Sequence, residues 1–293
     1  MRLALLGLGL IGGSVVRALR ADGRAAGLGV DEISAWSPSG DGPAAALRDG
    51  LIDEAAMTPE AAISGAALVV LAGPAPDILA QLADLAGRWR RSLAADAVIT
   101  DVASTKAAIV ERAAALELRF VGGHPMAGRE ASGYEASTPD LFVDRPWIVV
   151  PTDDDAAVRR VEALASATGA SPRRMTAADH DDAVAAISHL PLVVAAALVE
   201  AVAGGGPRAS EDWPVLAALG ATGWRDMTRL AHGDVTMGAG IAATNGPRIA
   251  RRVRDLIAVL DSWVAELEHP GGPDGSAVAG RLRLARDRLE GPP

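Results

Sequence analysis

Leu3-Ala4-Leu5-Leu6-Gly7-Leu8-Gly9-Leu10-Ile11-Gly12-Gly13-Ser14 opens the chain with a short apolar run, a glycine-punctuated turn and the start of a helical pattern. Read as a strand (Leu3 to Leu6), a loop and a helix (Gly12 to Ala21), it has the form of a dinucleotide-binding turn. The first glycine permits the tight turn, the second lets backbone approach a pyrophosphate, and the third lets helix pack on strand. The helix N-terminus then faces the phosphates. A glycine fingerprint alone is weak, but its position between a clear strand and a helix strengthens it.

Further apolar runs follow at Ile33 to Trp36, Leu68 to Ala72, Ala97 to Asp101, Arg119 to Gly122 and Trp147 to Pro151, mostly separated by helix-compatible segments. That alternation predicts a mostly parallel sheet covered on both faces. From about Ala177 the strand signals stop. Ala183 to Ala203, Val215 to Ala231 and Ile249 to Leu267 read as helices, with Gly204-Gly205-Gly206-Pro207 as a breaker. His269 to Gly275 reads as a turn and Ala277 to Leu289 as a last helix. The predicted division is 1–176 for an α/β domain and 177–293 for an all-α domain.

Composition narrows the function. A formal charge of −9 over 293 residues argues against a nucleic-acid partner. The chain has no cysteine, which excludes disulfides and thiolate chemistry. No metal is expected. No uncharged apolar run reaches the ~18 residues of a membrane helix, so a soluble, cytoplasmic protein is expected, without a membrane partner.

Two sites stand out. Asp101 to Lys106 ends a strand and starts a helix, where ligands of open parallel sheets bind. Ser104 there can orient a polar group or cap a helix beginning near Thr105. The loop Gly122-Gly123-His124-Pro125-Met126-Ala127-Gly128 presents an imidazole among glycines and a proline. For the cofactor, the candidate residues are Gly7, Gly9, Leu10, Ile11, Gly12, Trp36, Ser37, Gly73 and Asp101. Asp31 and Glu32 precede their strand and sit at the wrong end to meet a ribose. Trp36, Ser37, Pro38 and Ser39 sit at the right end without a carboxylate, so NADP is expected to be accepted at least comparably to NAD.

These segments, with Glu130, Gly133, His180-Asp181, Ser188-His189-Leu190-Pro191 and Arg225-Asp226-Met227-Thr228-Arg229, occur in one order. Together they resemble the prephenate/arogenate dehydrogenase family of tyrosine biosynthesis. The resemblance implies an N-terminal Rossmann domain binding NAD or NADP and a helical domain that forms a homodimer. It implies oxidation of a small cyclohexadienol with loss of CO2, His124 as catalytic base, Ser104 beside it, and Arg229 on a substrate carboxylate. Ser188 and His189 are further substrate-binding candidates, while His180 and Asp181 read as capping or packing residues. Two positions depart from the family pattern: Leu192 stands where many relatives have a second histidine, and Gly238 where a tryptophan is common. Long apolar stretches in the helical half independently favour a dimer.

Two rivals remain at this stage. A lysine-based hydroxy-acid or imine reductase is disfavoured, because the one lysine is Lys106. A nucleotide sensor without turnover would not need Ser104, His124 and Arg229 together.

Overall fold

The computed structural model describes residues 1–21, 27–129 and 131–291; Glu130 lies outside them. The chain divides into two compact units, Met1–Gly246 and Pro247–Pro293.

The first unit is built on a six-stranded parallel sheet. Its strands are β1 (Arg2–Leu6), β2 (Glu32–Trp36), β3 (Glu54–Ala55), β4 (Leu68–Leu71), β5 (Val98–Asp101) and β6 (Phe120–Val121), in the order β3-β2-β1-β4-β5-β6. Side chains alternate across it. Leu3 and Leu5 join one core, with Val15, Leu19, Phe142 and Trp147, whereas Ala4 and Leu6 join the other, with Ile78, Leu82 and Ile109. Both faces are therefore covered, and β4 (Leu-Val-Val-Leu) is buried along its whole length, as parallel strands require.

The helices of this region are α1 (Leu10–Arg20), α2 (Asp41–Arg48), α3 (Pro59–Ile63), α4 (Ala75–Ala86), α5 (Ala107–Ala115) and α6 (Asp155–Ala167). The strand order reverses between β1 and β4, so the crevice beyond their carboxyl ends is the topological switch point, where ligands of such sheets bind.

A second, smaller sheet was not foreseen. It consists of β7 (Gly123–Pro125), antiparallel to β8 (Pro146–Val149), which runs parallel to β9 (Ser171–Arg174). The sequence Ser-Pro-Arg-Arg of β9 carries no apolar alternation, and its proline fits an edge strand.

The helical region follows the expected breakers but not the expected lengths. Ala177 to Ala203 is one helical run: α7 (Ala177–Val184), a π-type turn (Ala185–His189) and α8 (Leu190–Ala203). Pro191 has no N–H to return to the carbonyl four residues earlier, and the turn before it widens. This run is long and apolar enough, by length and composition, to cross a membrane, its most apolar 18 residues having a mean hydropathy of 1.9. Its longest stretch without an acidic or basic charge, residues 183–199 between Asp182 and Glu200, falls short of 18 residues, as expected from the sequence. The helix expected over Val215 to Ala231 is interrupted at Gly220, giving α9 (Trp213–Leu219), α10 (Thr222–Thr228) and a 3-10 turn (Arg229–His232). α11 (Val235–Leu267) begins well before Ile249 and carries Pro247 inside it.

In the second unit, α12 (Gly275–Glu290) follows the expected turn. Arg281 stacks 4.0 Å over the Trp263 ring and donates to Ser262 Oγ at 2.8 Å.

Candidate active site

At the switch point, Gly7 has φ +110°, and a Cβ on it would lie 2.6 Å from the Ala72 carbonyl oxygen. A Cβ on Gly12 would lie 2.3 Å from the Gly7 carbonyl oxygen, so that position seats helix on strand. A Cβ on Gly9 would meet nothing within 4 Å, which leaves its backbone open to a ligand. α1 starts at Leu10 without a side-chain cap, so its first N–H groups are available to phosphate oxygens.

Beside the turn lies a cavity of about 470 Å³ whose wall includes Gly7, Gly9, Ser37 and Gly73. Ser37 Oγ is buried without a hydrogen-bond partner among the described residues. These features fit a dinucleotide. Leu10, Ile11, Gly12, Trp36 and Asp101 are not among the lining residues. Trp36 instead packs against the second core. The same wall carries Asp41, Asp77 and Glu135 and, among the described residues, no lysine or arginine.

The histidine loop forms β7, where His124 pairs across the sheet with Ile148. A Cβ on Gly123 would lie 2.6 Å from the Asp101 carbonyl oxygen, so glycine is needed for β7 to pass the end of β5. Asp101 also fastens the loop. Its carboxylate accepts from the backbone N–H of Gly123 and of Ala103, each at 3.1 Å, and pairs with Lys106. Both side chains of that pair are fully buried. Burial pushes the Asp101 pKa up and the Lys106 pKa down; the Coulomb attraction of the pair opposes both shifts. We assign an ion pair, because the two backbone donors also favour the carboxylate.

Around His124 the structure assembles residues that the sequence left apart. His124 Nδ1 lies 2.8 Å from His180 Nε2, with the rings edge to face. His180 Nδ1 lies 2.8 Å from Asp181 Oδ1. The Asp181 carboxylate also accepts from the N–H of Lys106 at 2.8 Å and of Ala107 at 2.9 Å, which caps α5. The expected cap, Ser104, does not serve: the helix begins at Ala107 with Lys106 as its N-cap, and Ser104 lies in the half-buried turn before it. Burial pushes the Asp181 pKa up, but the His180 hydrogen bond and the two backbone donors prevail and hold it below its ordinary value.

His124 is held well below an ordinary histidine pKa, first by burial and then by His180, Lys106 and His189. It is therefore neutral at neutral pH and able to take a proton.

His189 ends the π-type turn, buried, while Ser188 beside it is exposed. Burial takes the His189 pKa down to about 4. The Asn245 amide nitrogen lies 2.9 Å from the Asp181 carbonyl oxygen and 3.2 Å from His189 Nδ1. Donating to both fixes the amide orientation and makes His189 Nδ1 an acceptor. His189 Nε2 then carries the proton, and that buried donor has no partner among the described residues. It is available to a ligand acceptor.

Arg229 opens the 3-10 turn that packs on α8 and is exposed. The two departures from the family pattern, Leu192 and Gly238, lie against each other: a Cβ on Gly238 would be 3.7 Å from Leu192 Cδ2.

Sequence reasoning assigned His180 and Asp181 to capping or packing. The capping part holds for Asp181. The contact of His180 with His124 was missed, because the two are separated by 56 positions and no local pattern links them.

Comparison with known proteins agrees along the chain. Residues 16–172 match the family model described as prephenate dehydrogenase, nucleotide-binding domain, and residues 176–272 match prephenate dehydrogenase, dimerization domain. A prephenate dehydrogenase of Bacillus subtilis is 33% identical over 273 residues, covering 90% of this chain and 67% of that protein. The structure of Synechocystis arogenate dehydrogenase superposes with a TM-score of 0.76 at 31% identity, covering 99% of this chain and 100% of the other. Prephenate dehydrogenase from Aquifex aeolicus, solved with hydroxyphenyl propionate and NAD+, gives a TM-score of 0.84 at 25% identity, covering 99% and 98%. The glycine turn at the switch point and the neutral histidine beyond β5 thus stand in a chain that belongs to the prephenate dehydrogenase family, NAD(P)-dependent oxidative decarboxylases of tyrosine biosynthesis.

Proposed function

We propose that the chain oxidises prephenate or arogenate, with His124 as the base, Ser104 beside it and Arg229 on a substrate carboxylate. The observation that carries this reading is the half-buried, neutral His124 held by a polar chain at the end of the sheet that binds the dinucleotide. A bound nicotinamide accepts the hydride from the ring carbon that bears the hydroxyl. His124 Nε2 takes the hydroxyl proton as that carbon becomes carbonyl-like. Loss of CO2 returns the carbon–carboxylate electron pair to the ring, which becomes aromatic. His189 Nε2–H and the Arg229 guanidinium supply donors for the substrate's oxygens, and a guanidinium can grip a carboxylate with two parallel bonds.

On the cofactor, the wall residues favour NAD over NADP. A 2′-phosphate entering beside Ser37 would face Asp41, Asp77 and Glu135 with no cation in the described lining. Asp41 lies in the first turn of α2, just beyond the stretch where a ribose-reading acid is sought from sequence.

The division of labour proposed is 1–176 for the cofactor and base and 177–293 for substrate contacts and dimerisation. Ile187, Val215, Leu219 and Val235 are exposed apolar residues of the helical region. A second copy of the chain would cover such a surface, and this favours a soluble, cytoplasmic homodimer over a membrane role for Ala177 to Ala203.

The test is formation of reduced nicotinamide with each substrate and each cofactor. His124→Ala should lower kcat by about 10²–10⁴-fold, the range for loss of a general base, with cofactor affinity retained. Binding without reduction in the unaltered protein would favour a sensor.

A further inference from the structure

Three side chains in series, Asp181, His180 and His124, admit one consistent pattern of protons. Asp181 receives two backbone N–H groups as well as His180 Nδ1, so its carboxylate acts only as an acceptor. His180 must therefore donate from Nδ1. A neutral imidazole carries one proton, so His180 Nε2 is an acceptor. His124 must then donate from Nδ1, and its Nε2 is left with a free lone pair.

From this geometry, and resting on the reading of His124 as the base, we propose that His180 and Asp181 are positioning residues. They hold His124 in its Nδ1–H tautomer and share the charge that it acquires. The substrate proton arrives at His124 Nε2. The proton on His124 Nδ1 can cross the 2.8 Å gap to His180 Nε2. His180, now doubly protonated, keeps its Nδ1–H bond to the Asp181 carboxylate, so the positive charge rests beside a negative one. No proton is gained or lost in the transfer.

The arrangement also makes the base sensitive to His180. If His180 were charged in the resting enzyme, its Nε2–H would donate to His124 Nδ1. That would force the His124 proton onto Nε2 and close the acceptor. The other titratable groups facing His124 are Lys106, from the turn before α5, and His189, from the π-type turn; both disfavour its protonation. Asp101 is occupied by Lys106 and by two backbone donors.

The direct test needs no variant. Imidazole ¹⁵N spectroscopy of the full-length protein at pH 8 should show His124 as the Nδ1–H tautomer. An Nε2–H tautomer would overturn the proposal. His180→Leu removes the acceptor. It should yield mixed or Nε2–H tautomers at His124 and lower kcat by about 10–100-fold, the usual cost of losing an orienting partner, with substrate KM and cofactor affinity within about twofold of the unaltered values. His180→Gln offers an amide oxygen that can accept from His124 but cannot take a proton. It should restore the Nδ1–H tautomer and recover only part of kcat, and full recovery would refute charge sharing while leaving the tautomer role. An unchanged kcat in His180→Leu would refute both roles. If instead His124→Ala turns over normally, the base reading falls, and the tautomer spectrum still judges the geometry by itself.

Discussion

Lys106→Met tests the buried ion pair beneath the histidine loop. Both Lys106 and Asp101 have fully buried side chains, so removal of the ammonium strands a carboxylate where water cannot reach it. Breaking such a pair from one side costs about 3–5 kcal/mol. For a protein of this size each kcal/mol shifts Tm by about 2–4 °C, so a fall of about 6–20 °C is expected. Two backbone donors, from Ala103 and Gly123, still hold the carboxylate and place the loss toward the lower end. Adding Asp101→Asn to Lys106→Met removes the stranded charge. It should recover about half of the loss, since one of the two N–H groups then faces an amide NH2. The sign with pH follows from burial, which raises the Asp101 pKa above its unfolded value, the more so without Lys106. A raised carboxyl pKa means that destabilisation grows as pH climbs above about 4. The Tm gap between Lys106→Met and the unaltered protein should therefore be wider at pH 8 than at pH 5. Thermal melts by circular dichroism at matched protein concentration read it directly. A gap under about 2 °C at pH 8, or one that widens toward pH 5, would refute the reasoning.

Three further outcomes are expected. Arg229→Ala should raise substrate KM sharply with cofactor affinity unchanged, and Arg229→Lys should rescue only partly because an ammonium lacks the planar fork; steady-state kinetics and calorimetric NAD binding separate the two effects. Gly9→Ala should leave Tm within about 2 °C, since the new Cβ meets no atom of the described residues within 4 Å, yet weaken NAD binding at least about tenfold by blocking backbone approach to the pyrophosphate; a variant that binds NAD normally would remove Gly9 from the phosphate site. Acid should destabilise the fold between about pH 6.5 and 4, because His124 and His189 have pKa values lowered by desolvation; their stabilisation is complete above the unfolded value near 6.5 and is lost as pH falls toward the folded values, so a Tm that is flat over that window would contradict their neutral state.

What the sequence made legible was local. The β1 turn and α1 could be read because the apolar run, the glycine spacing and the helical pattern are contiguous, and the structure returns them within a residue or two. His124 was legible for a similar reason, since glycine and proline on either side mark a backbone constrained around one imidazole. What failed to show was polar contact over distance. Asp181 caps a helix that starts 74 positions earlier, and no propensity rule reaches that far. Ser104 looked like the cap because caps are normally sought in the preceding few residues. β9 was invisible because edge pairing to β8 recruited Ser-Pro-Arg-Arg, which has no strand periodicity of its own. Asp41 was overlooked because an acid was sought at the end of β2, whereas the start of α2 returns to the same cavity.

The same long-range contacts explain why the first compact unit runs to Gly246 and not to the change of composition near residue 176. Asp181 binds the first N–H groups of α5 and the His180 ring, His180 meets His124, and Asn245 bonds both the Asp181 carbonyl and His189. Thr105 and Thr244 close a further hydroxyl contact at 2.8 Å. Apolar patterning marks where one type of secondary structure gives way to another, but compaction is decided by which side chains must be satisfied in the interior. Here the carboxylate that caps a helix of the α/β region is supplied by α7, and so is the imidazole that meets His124. His124 and the side chains hydrogen-bonded in series to it therefore come from opposite sides of the composition change. Dissecting the chain near residue 176 would uncap α5 and release His124 Nδ1 in one step.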